Sequence, residues 1–399
     1  MVSDVWGSEG KGISEDERIS LYLLNNLPGI SNRKIYEMFM AAGSFSEAYA
    51  MEKEELIRLG VFSGRGESYG FDRRHEQREK LLRDYEELTG RGIRLCTIFD
   101  KNYPRKLRRI DDAPLLLYFR GELPDDSSPS AAIIGGRKCT GYGIYAAEYF
   151  AKELGKLGVQ IVSGMAAGID SAAQRAAIRS GARCFSVLGS GVSNCYPMES
   201  FDIFEELSKG QGGVISEFPP AARPDPWRFV SRNRIIAGLS DIIIVAEAKK
   251  KSGTAITVDY ALSFGKDVYA VPHRICDTSG EGCNALIKDG AIPACGLSDI
   301  RLELDLKTST EVSIKEEQQD DTAGQTERKA KDIRDINENA DIARSEKIVY
   351  SCLDFNSRHI EDIAMQAGIS LRDTIKALAG LEKKGLAAPV QAAYYRKVF

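Results

Sequence analysis

The chain lacks several features that would each point to a common function. Only 3 histidines occur among its 399 residues, and they lie in different segments, so a histidine-based catalytic site has little support. No Gly-x-x-x-x-Gly-Lys-Ser/Thr sequence occurs, which leaves P-loop ATP hydrolysis without support. No apolar run approaches the roughly 18 residues of a membrane-spanning helix. The net charge of −4 means that any phosphate site is a local patch on an acidic body.

The 8 cysteines are scattered and include no Cys-x-x-Cys pair. Cys276, Cys283 and Cys295 form the one cluster, and their spacing fits no common zinc pattern. Loop and core thiols in a reducing cytoplasm are the better interpretation. The first residues lack the basic flank and apolar run of a signal peptide. We therefore expect a cytoplasmic protein with no membrane contact, metal or cofactor.

Changes of pattern divide the chain into four parts. Residues 13–102 have helical apolar spacing, and residues 103–300 alternate between strand and helix signals. Residues 301–345 are polar with almost no aromatics, which is the composition of a linker. Residues 346–399 read as a helix, a second helix, a turn at Gly368, a third helix from Ser370 and a short hairpin. This last pattern predicts a winged helix-turn-helix domain.

The alternating part predicts an α/β fold with a Rossmann-like, doubly wound and mostly parallel sheet. Its strands are continuous apolar runs rather than alternating ones, which indicates burial on both faces. Ligands of such sheets bind at the carboxyl ends of the strands. The strand signals cover residues 131–134, 159–162, 183–188, 214–216, 241–245 and 267–271, and the helix signals cover 142–157, 171–180, 198–209 and 254–264.

Both flanking regions leave alternatives open. The Pro28-Gly29 turn in the N-terminal helical part resembles a helix-hairpin-helix, which can grip a DNA phosphate, but a plain turn of a helical bundle is the preferred interpretation. The third helix of the tail mixes basic and acidic side chains, which suits protein contact at least as well as the DNA major groove. Those side chains are Arg372, Asp373, Lys376, Glu382, Lys383 and Lys384.

Four segments of the α/β part carry the chemistry of a phosphate-binding surface. After the first strand, Gly135 and Gly136 allow close approach of a backbone, and Arg137 and Lys138 supply charge. After the second strand, a turn of small residues contains Gly164 and Met165. Such strand-to-helix turns aim free N–H groups and the positive end of a helix dipole at an anion. A merely tight turn is the competing interpretation.

The other two segments add lysines and an aromatic. Lys251, Ser252, Gly253 and Thr254 follow the fifth strand, with Ser252 suited to cap the next helix and three lysines beside its N-terminus. Phe229 stands next to Arg232, Asn233 and Arg234. An aromatic interleaved with arginines suits single-stranded DNA, because bases stack on the ring while guanidinium groups hold the backbone. The alternative is a core Phe229 with arginines paired to carboxylates.

No catalytic constellation emerges from the sequence. Asp170 and Glu247 end strands or open helices, where capping and hydrogen bonding are the commoner roles. General acid–base work needs two such groups beside one substrate atom, which sequence spacing alone does not establish. We expect a binding protein and no enzyme.

The α/β part resembles the family of DNA-processing proteins called DprA or Smf. The resemblance rests on collinear motifs that span about half of the chain. They are YPRKLRRIDDAPLLLYFRGEL, IIGGRKCTGYG, SGMAAGIDSAAQRAAI, LGSGVSNCYP, ISEFPP, FVSRNRIIAGLS, IVAEAKKKSGTAITVDYAL, GKDVYAVP and NALIKDGA. The family commonly adds an N-terminal helical SAM-like domain and a C-terminal winged helix, which fits both flanks.

The resemblance implies a non-enzymatic, sequence-independent single-stranded DNA binder. It implies protection of incoming DNA during natural transformation and help in loading the RecA recombinase, and we further expect a homodimer through the Rossmann-like domain. The phosphate-gripping arginine of the family corresponds to Arg137, its aromatic to Phe229, and its Lys-Ser-Gly element to residues 251–253.

Three positions depart from the pattern of the family. Gly136 replaces a serine, Gln174 stands where histidine is usual, and His273 stands where glycine is usual. Two alternatives remain from other functional classes. One is a Rossmann-like nucleoside-monophosphate phosphoribohydrolase, although Lys-Lys-Ser-Gly-Thr lacks the paired glycines of such enzymes. The other is a nucleotide-sensing module that signals through the winged helix.

Overall fold

A computed structural model describes residues 12–62, 69–300, 344–353, 357–391 and 393–398. The chain divides into two compact units, of which the larger includes the described residues 12–139 and 143–300 and the smaller contains the C-terminal tail. The predicted domain boundary at residue 102 therefore falls inside the larger unit. Within the described ranges, no helix is both long and apolar enough to span a membrane.

The larger unit begins with short helices, as the apolar spacing predicts. Serines at 14, 31 and 44 cap the first three, each accepting a hydrogen bond from a backbone N–H of the first turn. Their apolar faces meet in a core that includes Leu21, Leu24, Ile35 and Phe45, all fully buried. The helices are α1 (Glu15–Asn25), α2 (Asn32–Ala42), α3 (Phe45–Ala50), α4 (Lys53–Arg58), α5 (Tyr69–Asp72) and α6 (Arg74–Glu86).

A nine-stranded sheet forms the centre of the larger unit, in the order β1-β2-β6-β5-β4-β3-β7-β8-β9. The strands from β3 to β9 are parallel to one another, whereas β1 and β2 are antiparallel additions at the β6 edge. The strands are β1 (Arg94–Thr97), β2 (Leu116–Gly121), β3 (Ser130–Gly135), β4 (Gln160–Ser163), β5 (Cys184–Val187), β6 (Gly212–Ser216), β7 (Ile242–Glu247), β8 (Asp267–Ala270) and β9 (Ile292–Pro293).

The prediction of a purely helical segment up to residue 102 is wrong at β1. Arg94–Thr97 pairs with β2 in antiparallel register, and Cys96 and Thr97 are buried against it. The apolar pattern does not predict this strand, because the strand is four residues long and begins with the exposed Arg94. The edge pairing with a distant strand stabilises it.

Helices flank the sheet as in a doubly wound fold. Strand β7 is buried along its whole length, and β3 is buried up to its last residue. This burial on both faces confirms the predicted α/β, Rossmann-like architecture. The helices are α7 (Arg105–Arg108), α8 (Gly141–Lys156), α9 (Ile169–Arg179), α10 (Phe201–Ser208), α11 (Pro226–Leu239), α12 (Thr254–Ser263) and α13 (Glu281–Lys288), with 3₁₀ turns at Met198–Ser200 and Leu297–Asp299.

The order of the strands places a topological switch point at β3. From β3 the chain builds outward through β4, β5 and β6 on one side, then crosses by α11 to β7, β8 and β9 on the other. Helices that follow β3 and β7 therefore diverge at the carboxyl end of the sheet. A crevice opens between such helices, and it is the usual ligand site of open α/β sheets.

In residues 344–398, as far as the structure describes them, the smaller unit has three helices and a three-stranded sheet in the order β10-β12-β11. Gly368 ends one helix with φ 64°, and the hydroxyl of Ser370 caps the next, as predicted. The assignment as a winged helix-turn-helix stays a prediction, and the predicted linker up to residue 343 lies outside the described residues. The elements are α14 (Arg344–Cys352), β10 (Arg358–His359), α15 (Ile360–Ala367), α16 (Leu371–Lys383), β11 (Ala387–Gln391) and β12 (Tyr394–Lys397).

Candidate nucleic-acid interface

A cavity of about 470 Å³ lies at the carboxyl end of the central strands. All four predicted segments contribute to its wall, since the turns after β3, β4 and β7 and one face of α11 meet there. FVSRNRIIAGLS is accordingly part of a helix rather than a turn. The main lining residues are Gly135, Gly136, Arg137, Ala166, Asp170, Tyr196, Pro226, Phe229, Val230, Arg232, Asn233, Ser252, Gly253, Thr254 and Thr257.

The turn after β3 is held close to β7. The N–H of Gly136 donates to the carbonyl oxygen of Glu247 at 2.8 Å. A Cβ on Gly135 would lie 2.6 Å from that same oxygen and 2.6 Å from Ile169, so no larger residue fits. Beyond this tight turn Arg137 and Lys138 are exposed, and Arg137 lines the cavity. The two glycines therefore place the Arg137 side chain and their own backbone at one edge of the cavity.

Helix α12 presents its N-terminus to the cavity. Ser252 was predicted to cap this helix, but the cap residue is Gly253, and no side chain within the described ranges caps it. The Ser252 carbonyl instead accepts from Ala255 at 3.2 Å. Uncapped N–H groups at a helix start carry partial positive charge and favour an anion. Lys251 is exposed beside them, although its side chain lies outside the cavity wall.

One face of α11 supplies the apolar part of the wall. Pro226, Phe229, Val230 and Asn233 recur at helical spacing and all line the cavity. The half-buried Phe229 ring packs so closely on Gly189 that a Cβ there would lie 2.6 Å from it. Its centroid is 5.5 Å from that of Tyr196 and 5.8 Å from the Arg137 guanidinium carbon. Phe229 is thus held in place by its packing on Gly189 and lies close to the positive charge of Arg137.

Arg234, which was predicted to hold DNA, does not line the cavity. It is 4 % exposed, and its guanidinium donates to both carboxylate oxygens of Glu217, at 2.9 and 2.6 Å, and to Asp112 at 3.0 Å. Although burial alone would lower the pKa of Arg234, these carboxylates raise it. The alternative interpretation, an arginine paired with acidic side chains, holds for this residue.

Arg232, which was predicted to hold the DNA backbone, is also buried, although it lines the cavity. Its Nη1 donates to the carbonyl oxygens of Gly164 and Val187, the former at 2.6 Å. Burial lowers the pKa of Arg232 to about 10, the Asp170 carboxylate opposes that shift and Arg137 adds to it. Its buried Nε has no hydrogen-bond partner among the described residues. Arg232 therefore forms part of the cavity wall with a charge that is not fully compensated.

Gly164 and Met165, which were predicted to contact DNA, are buried and do not line the cavity. A Cβ on Gly164 would lie 2.2 Å from the Arg232 guanidinium, so this glycine makes room for the arginine. Met165 is fully buried and adopts the left-handed backbone region with φ 56°. Both residues shape the turn after β4 from inside.

Asp170 lies beneath the cavity and links its walls. Its carboxylate accepts the N–H of Gly164 at 3.1 Å and also those of Ala166 and Gly135. Burial raises the pKa of Asp170, while Arg232 and these N–H groups oppose the rise. One buried carboxylate thereby joins the turns after β3 and β4 to α11. This engagement favours a structural role over general acid–base catalysis.

The three departures from the family pattern lie in different surroundings. Gln174 is fully buried, and its amide donates to the Ser186 hydroxyl at 2.7 Å. The His273 Nε2 lies 3.0 Å from the carbonyl oxygen of Ala246. A Cβ on Gly136 would approach the Lys138 carbonyl oxygen to 3.3 Å. Of these three residues, Gly136 alone lines the cavity.

Metal ligation and disulfides play no part in the geometry that the structure describes. Among the described residues no group of three or more His, Cys, Asp or Glu side chains is arranged to hold a metal ion. Cys276 and Cys295 are exposed, Cys283 is buried, and all three are free thiols.

Sequence reasoning missed Tyr196 and Thr257 as cavity residues. Tyr196 is 44 % exposed and follows β5, so the available signal was its place after a strand of the parallel sheet. Thr257 is one turn into α12, where helical spacing from Thr254 turns it to the same face.

Comparison with known proteins assigns the sheet domain. Residues 94–305 match the model of the family described as DNA recombination-mediator protein A. The DNA processing protein DprA of Streptococcus pneumoniae is 38% identical over 209 residues, 52% of this chain and 73% of that protein. DprA of Bacillus subtilis is 36% identical over 226 residues, 56% and 75% of the two chains. The X-ray structure of the pneumococcal protein superimposes with a TM-score of 0.60 at 31% identity, covering 72% of this chain and 97% of that one.

Proposed function

The chain belongs to the DNA recombination-mediator protein A family, and from that premise we propose that it binds single-stranded DNA without sequence preference. In this proposal it shields strands taken up during natural transformation and assists their loading with RecA. The observation that carries the proposal is the cavity at the switch point, where an aromatic ring, two guanidinium groups and a helix N-terminus meet.

The chemistry of the cavity suits a phosphodiester with an unpaired base. Arg137 and the uncapped N–H groups of α12 offer donors for phosphate oxygens, and the incompletely partnered Arg232 adds positive charge beneath them. The Phe229 ring offers a face for stacking. Bases in a duplex are already stacked on each other, so an aromatic ring that lines a concave site favours a single strand.

The arrangement also accounts for the absence of sequence preference. Guanidinium groups and backbone N–H groups bind phosphates, which are identical in every sequence, and stacking tolerates every base. Asn233 is the side-chain amide on the cavity-facing side of α11. One such group is too little to distinguish bases along a strand, since good discrimination needs bidentate contacts at each position.

A titration with labelled oligo-dT at two salt concentrations tests the proposal. Each phosphate contact to a single strand contributes about −0.7 to the slope of log affinity against log salt. We expect binding of oligo-dT and of mixed-sequence strands with similar affinity and a clear salt slope, and weaker binding of a blunt duplex. Absence of binding at low salt would refute the proposal.

The same preparation separates the proposal from the enzymatic alternative. A phosphoribohydrolase would release free adenine from AMP, whereas a binding protein leaves AMP intact. Asp170, which lines the cavity, is 6 % exposed and accepts backbone N–H groups. Glu247, the other acidic candidate from the sequence, is 1 % exposed and is not part of the cavity wall. Both observations support the binding role.

The assembly and location of the protein belong to the same proposal. We propose a cytoplasmic homodimer formed through the Rossmann-like domain, with RecA as the protein partner that receives the strand. Light scattering of the full chain gives the oligomeric state directly. Mixing the DNA-bound protein with RecA and following strand transfer tests the partner.

A further inference from the structure

Trp227 is a large aromatic side chain that the cavity does not use. It is 56 % exposed and belongs to the first turn of α11, directly after the cavity-lining Pro226. Trp is highly buried on average in soluble proteins, so the position of this exposed indole beside the cavity makes it a candidate ligand contact.

The indole is held in a fixed position. Its ring meets the edge of Phe218 with centroids 5.5 Å apart at 85°. The guanidinium carbon of Arg228 lies 5.3 Å from the Trp227 centroid and 5.1 Å from that of Phe218. Arg228 is anchored in turn by donating to the carbonyl oxygen of Arg223 at 2.8 Å. A ring that is already ordered loses little conformational entropy when a flat partner stacks on it.

Trp227 lies where a DNA strand bound in the cavity would continue along the edge of the sheet. Residues two apart on a helix point to different sides, so Phe229 turns toward the cavity while Trp227 turns toward Phe218, just after β6. The parallel strands run in the order β3, β4, β5 and β6 from the centre. Trp227 therefore lies farther along the same carboxyl edge of the sheet, on the side away from α12.

The neighbouring charges favour a nucleic acid as the occupant. Arg228 beside the indole, and Arg223 before it, provide cations for a phosphate next to a stacked base. The nearby Glu217 is neutralised by Arg234, which leaves Asp225 at the cavity wall as the acidic group close by.

We infer that Trp227 is a second base-stacking platform, which takes a nucleotide next to the one held in the cavity and directs the strand toward β6. The inference rests on the proposed single-stranded DNA binding and extends it to a direction along the sheet edge. It makes the affinity depend on strand length, because a short oligonucleotide fills the cavity alone and a longer one also reaches the indole.

Fluorescence of Trp227 provides the test. The chain has 2 tryptophans, and replacing the other by Trp6→Phe, outside the described residues, makes Trp227 the sole reporter. This full-length protein is titrated with oligo-dT from the dinucleotide to about 16 nucleotides, the upper range of single-strand sites. We expect indole quenching with the longer strands and little change with the dinucleotide. Trp227→Ala should lower the affinity for long oligonucleotides by about 5- to 150-fold, which corresponds to the loss of about 1–3 kcal/mol for one stacked base.

Two variants serve as controls. Trp227→Phe keeps a flat ring and should retain most of the affinity for long strands. Tyr69→Ala removes an equally exposed aromatic, 60 % exposed and 5.9 Å from the Arg73 guanidinium carbon, in the N-terminal helices. It should leave the dependence on strand length unchanged.

The outcomes distinguish this inference from the function on which it rests. No binding of any strand by the unaltered protein refutes both. Binding without quenching, with Trp227→Ala equal to the parent at every length, overturns the second platform and leaves the cavity site intact. Quenching that follows protein concentration rather than DNA identifies Trp227 as a protein contact and also overturns it.

Discussion

The surroundings of Arg232 and Arg234 differ although the two residues stand two positions apart on the same helix. Both side chains are 4 % exposed. Arg234 meets the carboxylates of Glu217 and Asp112, which neutralise it and raise its pKa. Arg232 meets main-chain carbonyls and one shared carboxylate, and burial lowers its pKa to about 10.

The difference shows how one residue type serves stability in one place and binding in another. The Arg234 guanidinium pairs with Glu217 and Asp112 inside the protein, and the ion pair with Glu217 holds α11 to the segment that follows β6. Around Arg232 the positive charge is incompletely matched and lies in the wall of a cavity, where an anion would complete it. Burial alone therefore does not decide whether an arginine takes part in binding.

The largest expected effect comes from breaking the buried ion pair between Arg234 and Glu217. Arg234→Met leaves Glu217 buried without its partner, so we expect a loss of about 3–5 kcal/mol in the free energy of unfolding. Urea denaturation measures it. Adding Glu217→Gln removes the uncompensated charge and should recover part of the loss. If folded Arg234→Met loses oligo-dT affinity as strongly as a cavity variant does, the contrast between the two regions is wrong.

Arg137→Ala tests the cavity, the region in which positive charge is left for a ligand. Hydrogen bonds to charged groups contribute about 1.5–3 kcal/mol, so oligo-dT affinity should fall by tenfold or more. The slope of log affinity against log salt should flatten by about 0.7 if one phosphate contact is lost. Lys138→Ala, an exposed neighbour outside the cavity wall, is the matched control and should change affinity less. Unchanged affinity in a folded Arg137→Ala protein contradicts the assignment.

Phe229→Ala should cost about 1–3 kcal/mol of binding, because a stacked base loses its platform. The half-buried ring also packs on Gly189, so we expect a modest decrease in thermal stability. Isothermal titration with oligo-dT and a thermal melt of the same sample measure the two effects. A collapse of stability with unaltered affinity would make Phe229 a core residue.

Alkaline pH should weaken DNA binding through Arg232 and leave the contribution of Arg234 unchanged. The pKa of Arg232 is lowered to about 10 in the free protein, and a bound phosphate would hold the proton and raise it. Affinity should therefore stay level below about pH 10 and fall as pH rises through that value, by at most tenfold per pH unit. Fluorescence anisotropy measures the profile while circular dichroism confirms the fold. A level profile across that range argues against a charge from Arg232 in the cavity.

The smallest effect is expected from removing the tail. Every residue that lines the cavity lies between Ile134 and Thr257. A chain ending near Leu302, outside the described residues, should keep most of its affinity for single strands. It should lose partner contact, self-association or duplex binding, for which the mixed charges of α16 are suited. Proteolysis should cut in the polar residues 301–345, and a folded truncation that loses single-strand binding by a large factor would move the main site to the tail.

The sequence allowed the prediction of most strands, of the parallel sheet and of the turns at its carboxyl edge. These follow from local signals, namely apolar runs, glycines and helix starts, that neighbouring residues carry together. Arg137, Phe229 and residues 252–254 do line one cavity. The ion-pair partners of Arg234 could not be predicted from the neighbouring sequence, because Glu217 is 17 residues away and Asp112 is 122 residues away in sequence.

The sequence by itself determined where tight strand-to-helix turns can form, because an apolar run that ends in glycines, as at Gly135 and Gly136, is a signal carried by adjacent residues. Tertiary structure decided which charges remain available to a ligand. Helix α11 rotates Phe229 and Asn233 toward the cavity and Arg234 toward Glu217, and the sheet order brings β3 beside β7. Electrostatic availability depends on burial and on partners distant in sequence, and both exist only once the chain is folded.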